Sequence, residues 1–596
     1  MENGGKRGGL LKVLCIIAAI MSTLALHCTW GLYGDSESDF LVNSFRKLAG
    51  TFTTMDFMDV LTVIALSVFF IKVVAANRFD LSALILSLVM SVLYIVCRQY
   101  RDYDSLQFLL GSGYSLMVFA LGICGYTVLL YAVLVFFKVL LTKERTSLPS
   151  DSSFFRRFFW PISWIFILVC YLPWILLNYP GSGMPDTILQ FQNYFGDTKW
   201  SMWQPPLSSL LMGWCYSIGG AIKDANFGFF LYALLQTVTA SGIFSYAINR
   251  LKKLGAATGF CVTAVLFYGL VPMWGAYAQW VEKDFLFASM CVLFTTYLLE
   301  ICAEKAMSAK TVVKLSIAGL LCVFLRNNGI YAVIPALVIL GIYMSGAVRK
   351  GLLIIALSLL ITYESVTRIV FPAVGVGRTS ISETIGFMLQ QTARYVNTYP
   401  DELSEEDKEI LTQNFRTMDA FKDYNPKFID PVKYYYVHAT PKEYFSLWIR
   451  QFCKHPTVYA ESYLNGSYGY WAPVEGDVGA YIHSVDDGYL YEQMGITHDG
   501  AFNNPELLIA VLNPSKTQIF IRYFTYPGLY TWGMIILLYV VAHKKKKGAW
   551  AVFVPALVTV LVCSVSPLAC AMRYALPFVA AFPVLAGWTT VCDLEK

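Results

Sequence analysis

The chain has 596 residues, of which 57% are hydrophobic and only 14% charged, with a mean hydropathy of +0.54. A soluble globular chain carries roughly 25% charged residues, so an ordinary soluble domain is excluded and a polytopic helical membrane protein is indicated. The net charge of +5 is no nucleic-acid signal, because Lys and Arg sit in short stretches between apolar runs; the expected partner is the lipid bilayer, not nucleic acid.

Apolar runs near 10–30, 56–77, 82–97, 113–142, 158–178, 226–248, 255–273, 284–303, 311–326, 329–347, 350–371, 516–541, 548–565 and 570–592 predict about fourteen transmembrane helices, an all-α polytopic membrane protein. Lys6, Arg7 and Lys12 precede the first run in the manner of a signal peptide. The run is long and lacks a small-x-small site, so it reads as an uncleaved helix. The stretch 205–222, opened by Pro205-Pro206 and containing Gly219-Gly220, reads as a juxtamembrane helix. Were it to span, Arg250, Lys252 and Lys253 would face outward against the positive-inside tendency. With it outside the count, Lys6/Arg7, Lys72/Arg78, Lys143/Arg145 with Arg156/Arg157, Lys305/Lys310, Arg349/Lys350 and the Lys544–Lys547 anchor share the cytoplasmic side, as do both termini. Arg98 and Arg101 are the exceptions.

Asp186, Glu282, Asp284, Arg326, the polar region 372–515 and the Ser566-Pro567 turn then fall together on the outer face of a cytoplasmic membrane. Four segments follow: an N-terminal four-helix addition (1–157), a membrane module (158–371, outer loop 179–225), a mainly helical and loop extracytoplasmic region (372–515), and a three-helix end (516–596). Within 372–515, an amphipathic helix is expected from Glu383 to Arg394, an acidic one over 401–412, another near 441–453 and loops from Gly476 to Asn504. Fourteen Cys residues without a C-x-x-C pair give no disulfide frame and no zinc site.

Charge near hydrocarbon is costly, so charged residues at the ends of apolar runs are candidates for function. Asp186 and Gln190, four apart, share a helical face; the carboxylate can act as a general base while Gln190 and Gln192 orient an acceptor. The structural alternative for Asp186 is a helix cap. Glu282 and Asp284 lie two apart, so on a helix only one faces a common centre; Asp284, itself a cap candidate, is favoured over Glu282. Arg326 and Arg573, with Tyr574, can bind a phosphate bidentately or simply snorkel to the interface. Gln390, Gln391 and Arg394 would add a cationic fork if their helix folds over the cavity. Tyr468, Tyr470 and Trp471 would stack on a sugar or pack the polar region. No P-loop, Rossmann glycine fingerprint, H-E-x-x-H or Gly-x-Ser-x-Gly is present, and the six His residues have no ligand spacing. No cofactor is called for, and no divalent-metal site is indicated.

The order of Asp186, then Trp203-Gln204-Pro205-Pro206-Leu207, then Glu282/Asp284, then Arg573-Tyr574-Ala575-Leu576-Pro577 resembles the GT-C superfamily of integral-membrane glycosyltransferases. Gln204 stands where many members carry His. The resemblance covers roughly 158–371 and the last three helices, and it implies transfer of a sugar from a polyprenyl-phosphate donor to an extracytoplasmic acceptor glycan, lipid or protein. Asp186 would then be the base, Glu282 or Asp284 a second acid, and Arg326 and Arg573 the phosphate partners. Alternatives from other classes are a flippase or transporter of lipid-linked sugars, and a polysaccharide polymerase or ligase.

Overall fold

The computed structural model describes residues 2–27, 56–106, 109, 113–142, 153–476, 489–497, 521–544, 546–566 and 568–592. Lys545 of the lysine anchor, Pro567 of the predicted turn, residues 477–488 and 498–504 of the predicted loop and the start of the run 516–541 lie outside the described residues. Helices begin where a short polar side chain in extended backbone precedes an apolar run. Asp80 accepts from the Ala83 N–H at 3.1 Å, Asp224 from that of Phe227 at 2.7 Å, and Ser308 from that of Thr311 at 3.2 Å.

Eight helices among the described residues are long and apolar enough to cross a membrane, or nine if Thr258–Leu270 and Pro272–Gln279, bent by 50°, count as one broken span. The expected fourteen is not reached. Runs predicted at 56–77, 311–326, 329–347 and 516–541 are helices of 17, 17, 15 and 17 residues. At ~1.5 Å per residue these are about 23–26 Å long, short of a ~30 Å hydrocarbon core. Caps and turns cut them. Arg326 leaves the Ala309–Leu325 helix in extended conformation, and Gly329 opens the next against the Cys322 carbonyl, where a Cβ would overlap.

Side-chain contacts show which helix ends lie together. Tyr232 donates to the Glu282 carbonyl at 3.3 Å, while Arg250 pairs with Glu300 and, at 3.9 Å, with Glu304. The helices Ala225–Lys253 and Lys283–Glu304 are therefore parallel, the bent pair returning the chain between them. Glu282 and Glu300 are 18 residues apart, about 27 Å along a helix, close to the hydrocarbon thickness. Lys283–Glu304 is the axle of the molecule: 94% of its apolar window is buried, and 78% of that of Met572–Val591, against 28% for Arg157–Leu177 and 22% for Gly346–Ala373. A helix apolar on every side belongs inside a bundle.

The polar region is helical among the described residues and has its own core of Leu389, Leu411, Phe415, Phe421 and Leu447. It is joined to the membrane part by a short β-bridge, Gly377 N–H to Trp200 O at 2.7 Å and Met202 N–H to Gly377 O at 2.8 Å. Local pairing, with one bond to the polar region, accounts for the charge exceptions. Arg101 pairs with Asp102 at 2.6 Å and donates to the Val474 carbonyl at 2.6 Å, and Arg98 lies 3.7 Å from Asp102.

Candidate functional site

Asp186 stands in the first turn of the helix Pro185–Phe195 but does not cap it. The Thr187 hydroxyl takes that place, accepting from the Met184 N–H at 3.1 Å. The Asp186 carboxylate is thereby free to turn inward. Its Oδ1 accepts from Gln204 Nε2 at 3.1 Å, and its Oδ2 from Arg573 Nη2 at 2.9 Å and Lys283 Nζ at 3.3 Å. Glu282 precedes the axle helix in extended backbone (φ −150°, ψ 154°), and its Oε1 accepts both the Lys283 N–H at 3.0 Å and Lys283 Nζ at 2.7 Å. Asp284, one residue inside the helix, pairs with Arg326, and its Oδ2 lies 3.9 Å from Arg573 Nε.

Both acids thus belong to one cluster, correcting the expectation that only one would face it. Helical spacing does not govern Glu282, which lies before the helix begins. Arg573 donates to the Tyr574 hydroxyl at 3.0 Å, and the Arg573 and Arg326 guanidinium carbons lie 4.9 and 4.6 Å from the Tyr574 ring centre. The ring steadies two like charges through its negative faces.

Three carboxylates and three cations meet here, supplied by four separate stretches of chain. Side-chain exposure grades the assembly: 2% for Asp284 and 3% for Glu282, but 20% for Asp186 and Arg573. Water or a ligand therefore reaches the cluster from the Asp186–Arg573 side. Glu282 Oε2 and Asp284 Oδ2 are buried without a hydrogen-bond donor, a costly state for a charged oxygen. Burial raises the Glu282 carboxyl above its usual range despite Lys283. Burial acts upward on Asp186 too, yet Lys283 and Arg573 outweigh it and hold that carboxyl well below the carboxylate range. Environments that separate neighbouring acids in this way mark acid–base sites. No three His, Cys, Asp or Glu side chains among the described residues are grouped to hold a metal ion.

The other predicted site residues stand elsewhere. Gln190 shares the Asp186 face as expected, but it accepts from Ser208 Oγ at 2.8 Å and fastens the short helix to Pro206–Ile222. Gln192 is half-buried, and its carbonyl caps the helix end by accepting from Gly196 N–H at 3.1 Å. Gln390, Gln391 and Arg394 do not fold over the site. Gln390 donates to the Asn425 carbonyl, Gln391 to the Tyr459 carbonyl at 3.2 Å, and Arg394 to Glu461 at 2.6 Å and the Asp104 carbonyl at 2.9 Å. Buried carbonyls of the polar region consume these donors. Trp471, half-buried, accepts from Trp532 Nε1 at 3.0 Å through its carbonyl. Tyr468 and Tyr470 are buried, Tyr470 donating to the Ala571 carbonyl at 3.2 Å. The aromatic segment packs and forms no exposed wall.

Two members of the cluster, Lys283 and Gln204, were not among the site residues expected from sequence. Lys283 Nζ uses all three protons, on Glu282, Gln204 Oε1 (2.9 Å) and Asp186. The signal was a lysine between two acids at the head of a long apolar helix, where an unpaired ammonium is prohibitive. A family model spans residues 198–592, two thirds of the chain. The chain belongs to a family of unknown function, DUF6020. The DUF6020 match holds Gln204, Glu282, Lys283, Asp284, Arg326 and Arg573, while Asp186 lies twelve residues before it. No curated protein and no solved structure matches the chain.

Proposed function

We propose that this protein is an integral-membrane glycosyltransferase that moves a sugar from a polyprenyl-phosphate donor to an acceptor outside the cytoplasmic membrane. The observation that carries the reading is the convergence of Asp186, Glu282, Asp284, Lys283, Arg326 and Arg573 at one end of the spanning helices. On this reading both termini are cytoplasmic and the cluster faces outward. The acceptor hydroxyl bonds to the anomeric carbon as the bond to the phosphate oxygen breaks, inverting that centre. Asp186 takes the hydroxyl proton, and the departing phosphate gains charge that Arg573 and Arg326 meet. Fixed guanidinium groups at such a position contribute about 3 kcal/mol each.

The test is release of polyprenyl phosphate from polyprenyl-phosphate sugars by the purified protein in lipid. Asp186→Asn should lower turnover by about 10³-fold, within the usual effect of a general base, while leaving the melting temperature near that of the parent. Wild-type rates in that variant would refute the assignment.

The transporter reading has one observation in its favour, the 50° break between Thr258–Leu270 and Pro272–Gln279, since transporters bind substrate at broken helices. Carbonyls at the break are already used: Tyr268 O accepts from the Tyr171 hydroxyl at 2.9 Å and Val271 O from the Trp274 N–H at 3.1 Å. Uptake of a lipid-linked sugar across a vesicle without release of lipid phosphate would decide for transport.

A further inference from the structure

Three donors hold Asp186, two of them cations, and this sets its carboxylate against accepting a proton from a substrate hydroxyl. Gln204 holds Oδ1, and Lys283 and Arg573 share Oδ2. A carboxylate paired with two cations is a weak base, so the departure of one of these donors makes Asp186 a better proton acceptor. Their surroundings differ. Lys283 is buried, bound to Glu282 and Gln204 as well, and sits on the axle helix. Gln204 is buried and joined to the same ammonium. Arg573 is the most exposed of the three and has a second carboxylate within reach, Asp284 Oδ2 at 3.9 Å, an oxygen with no donor of its own.

We propose that Arg573 is an exchangeable latch on Asp186, drawn off by an anionic phosphate, and that Lys283 and Gln204 are the fixed holders that keep the carboxylate in position. This rests on the glycosyl-phosphate reading and deepens it. The donor's phosphate, in recruiting Arg573 and Arg326, uncovers the group that will take the acceptor proton. Without a donor the base stays covered. The guanidinium moves from one anion to another, and the orphan Asp284 oxygen gives it a nearby carboxylate on the way. Lys283 and Gln204 are positioning residues on this account, acting through Asp186. Glu282, Asp284, Arg326 and Tyr574 are the remaining charged or titratable groups that complete the cluster around it.

The latch is testable without turnover, by modification of Asp186 with a hydrophobic carbodiimide, located by mass spectrometry on the full-length protein in lipid nanodiscs. Glu282 serves as the internal reference. Asp186 should be unreactive in the free protein and at least fivefold more reactive with farnesyl phosphate present; inorganic phosphate, lacking the lipid tail, should act only at much higher concentration. Arg573→Gln should leave Asp186 reactive without any probe, and Arg573→Lys should keep it covered. Tyr574→Phe, which removes the hydroxyl restraining Arg573 but keeps the ring, should give intermediate reactivity in a protein that still folds. An unreactive Asp186 in both Arg573→Gln and Tyr574→Phe would overturn the latch. So would farnesyl phosphate that binds, by native mass spectrometry, without changing reactivity. Failure of farnesyl phosphate to bind the parent protein at all would instead remove phosphate as the trigger, and with it the donor reading, even where Arg573→Gln uncovers Asp186.

Discussion

Two partly buried acidic nodes, at opposite ends of the membrane helices, use the same ingredients to different ends. Asp80 is a single carboxylate held by Lys138, by Tyr539 Oη at 2.7 Å, Ser82 Oγ at 2.6 Å and the Ala83 N–H at 3.1 Å, with His543 Nε2 at 3.3 Å. Each of its oxygens has a donor, and it ties the N-terminal helices to Pro527–His543. The Asp186 node has three carboxylates, cations shared between partners, and two acid oxygens with no donor at all. A satisfied node is a staple. One with surplus acceptors and a shared guanidinium can rearrange, at the stability cost that such groups impose.

That contrast can be broken at several points. Arg326→Leu should have the largest effect on stability, about 3–5 kcal/mol, because Asp284 would keep a buried charge whose remaining cation, Arg573 Nε at 3.9 Å, makes no hydrogen bond to it. Replacing Asp284 by Leu in the same protein should recover much of the loss in chemical unfolding in detergent. Asp80→Asn should cost about 1–2 kcal/mol, kept modest by the water that reaches that end, and leave farnesyl phosphate binding unchanged. A matching loss of binding would erase the distinction between the nodes.

The sign of the pH effect at Asp80 follows from its partners. Burial acts upward on the carboxyl, but Lys138 and the hydroxyl donors bring it below its ordinary value of 3.8. Its stabilisation is thus complete above about pH 4–5 and is lost as pH falls through the lower folded value. Thermal melts of the parent and Asp80→Asn should therefore converge in acid. Smallest of all, Gln390→Ala should cost about 1 kcal/mol in the polar region and alter turnover less than about twofold. A larger change in turnover would restore Gln390 to the site.

Asp186, Arg326 and Arg573 were legible because charge at the end of an apolar run has few explanations, and alternation of the runs placed all three on one side. Lys283 was passed over because in sequence it simply neutralises the acids on either side; only the fold shows its ammonium bridging Glu282 to Asp186, 97 residues before the lysine. Gln390, Gln391 and Arg394 misled for the converse reason. The polar face of an amphipathic helix does not say whether it meets a cavity or the carbonyls of its own region, and here it meets Asn425 O and Tyr459 O. The count of fourteen spans is not confirmed because hydropathy does not register the caps and turns at which a helix stops, and several apolar runs form helices of only 15–17 residues.

The enclosure of Lys283–Glu304 bears on how any substrate could enter. A rod gripped over 94% of its apolar length cannot shift without disturbing the packing of the whole bundle. Lys283, carried on that rod, therefore stays put as an anvil against which Asp186 is held, and any rearrangement of the cluster falls to the more exposed Arg573 side chain.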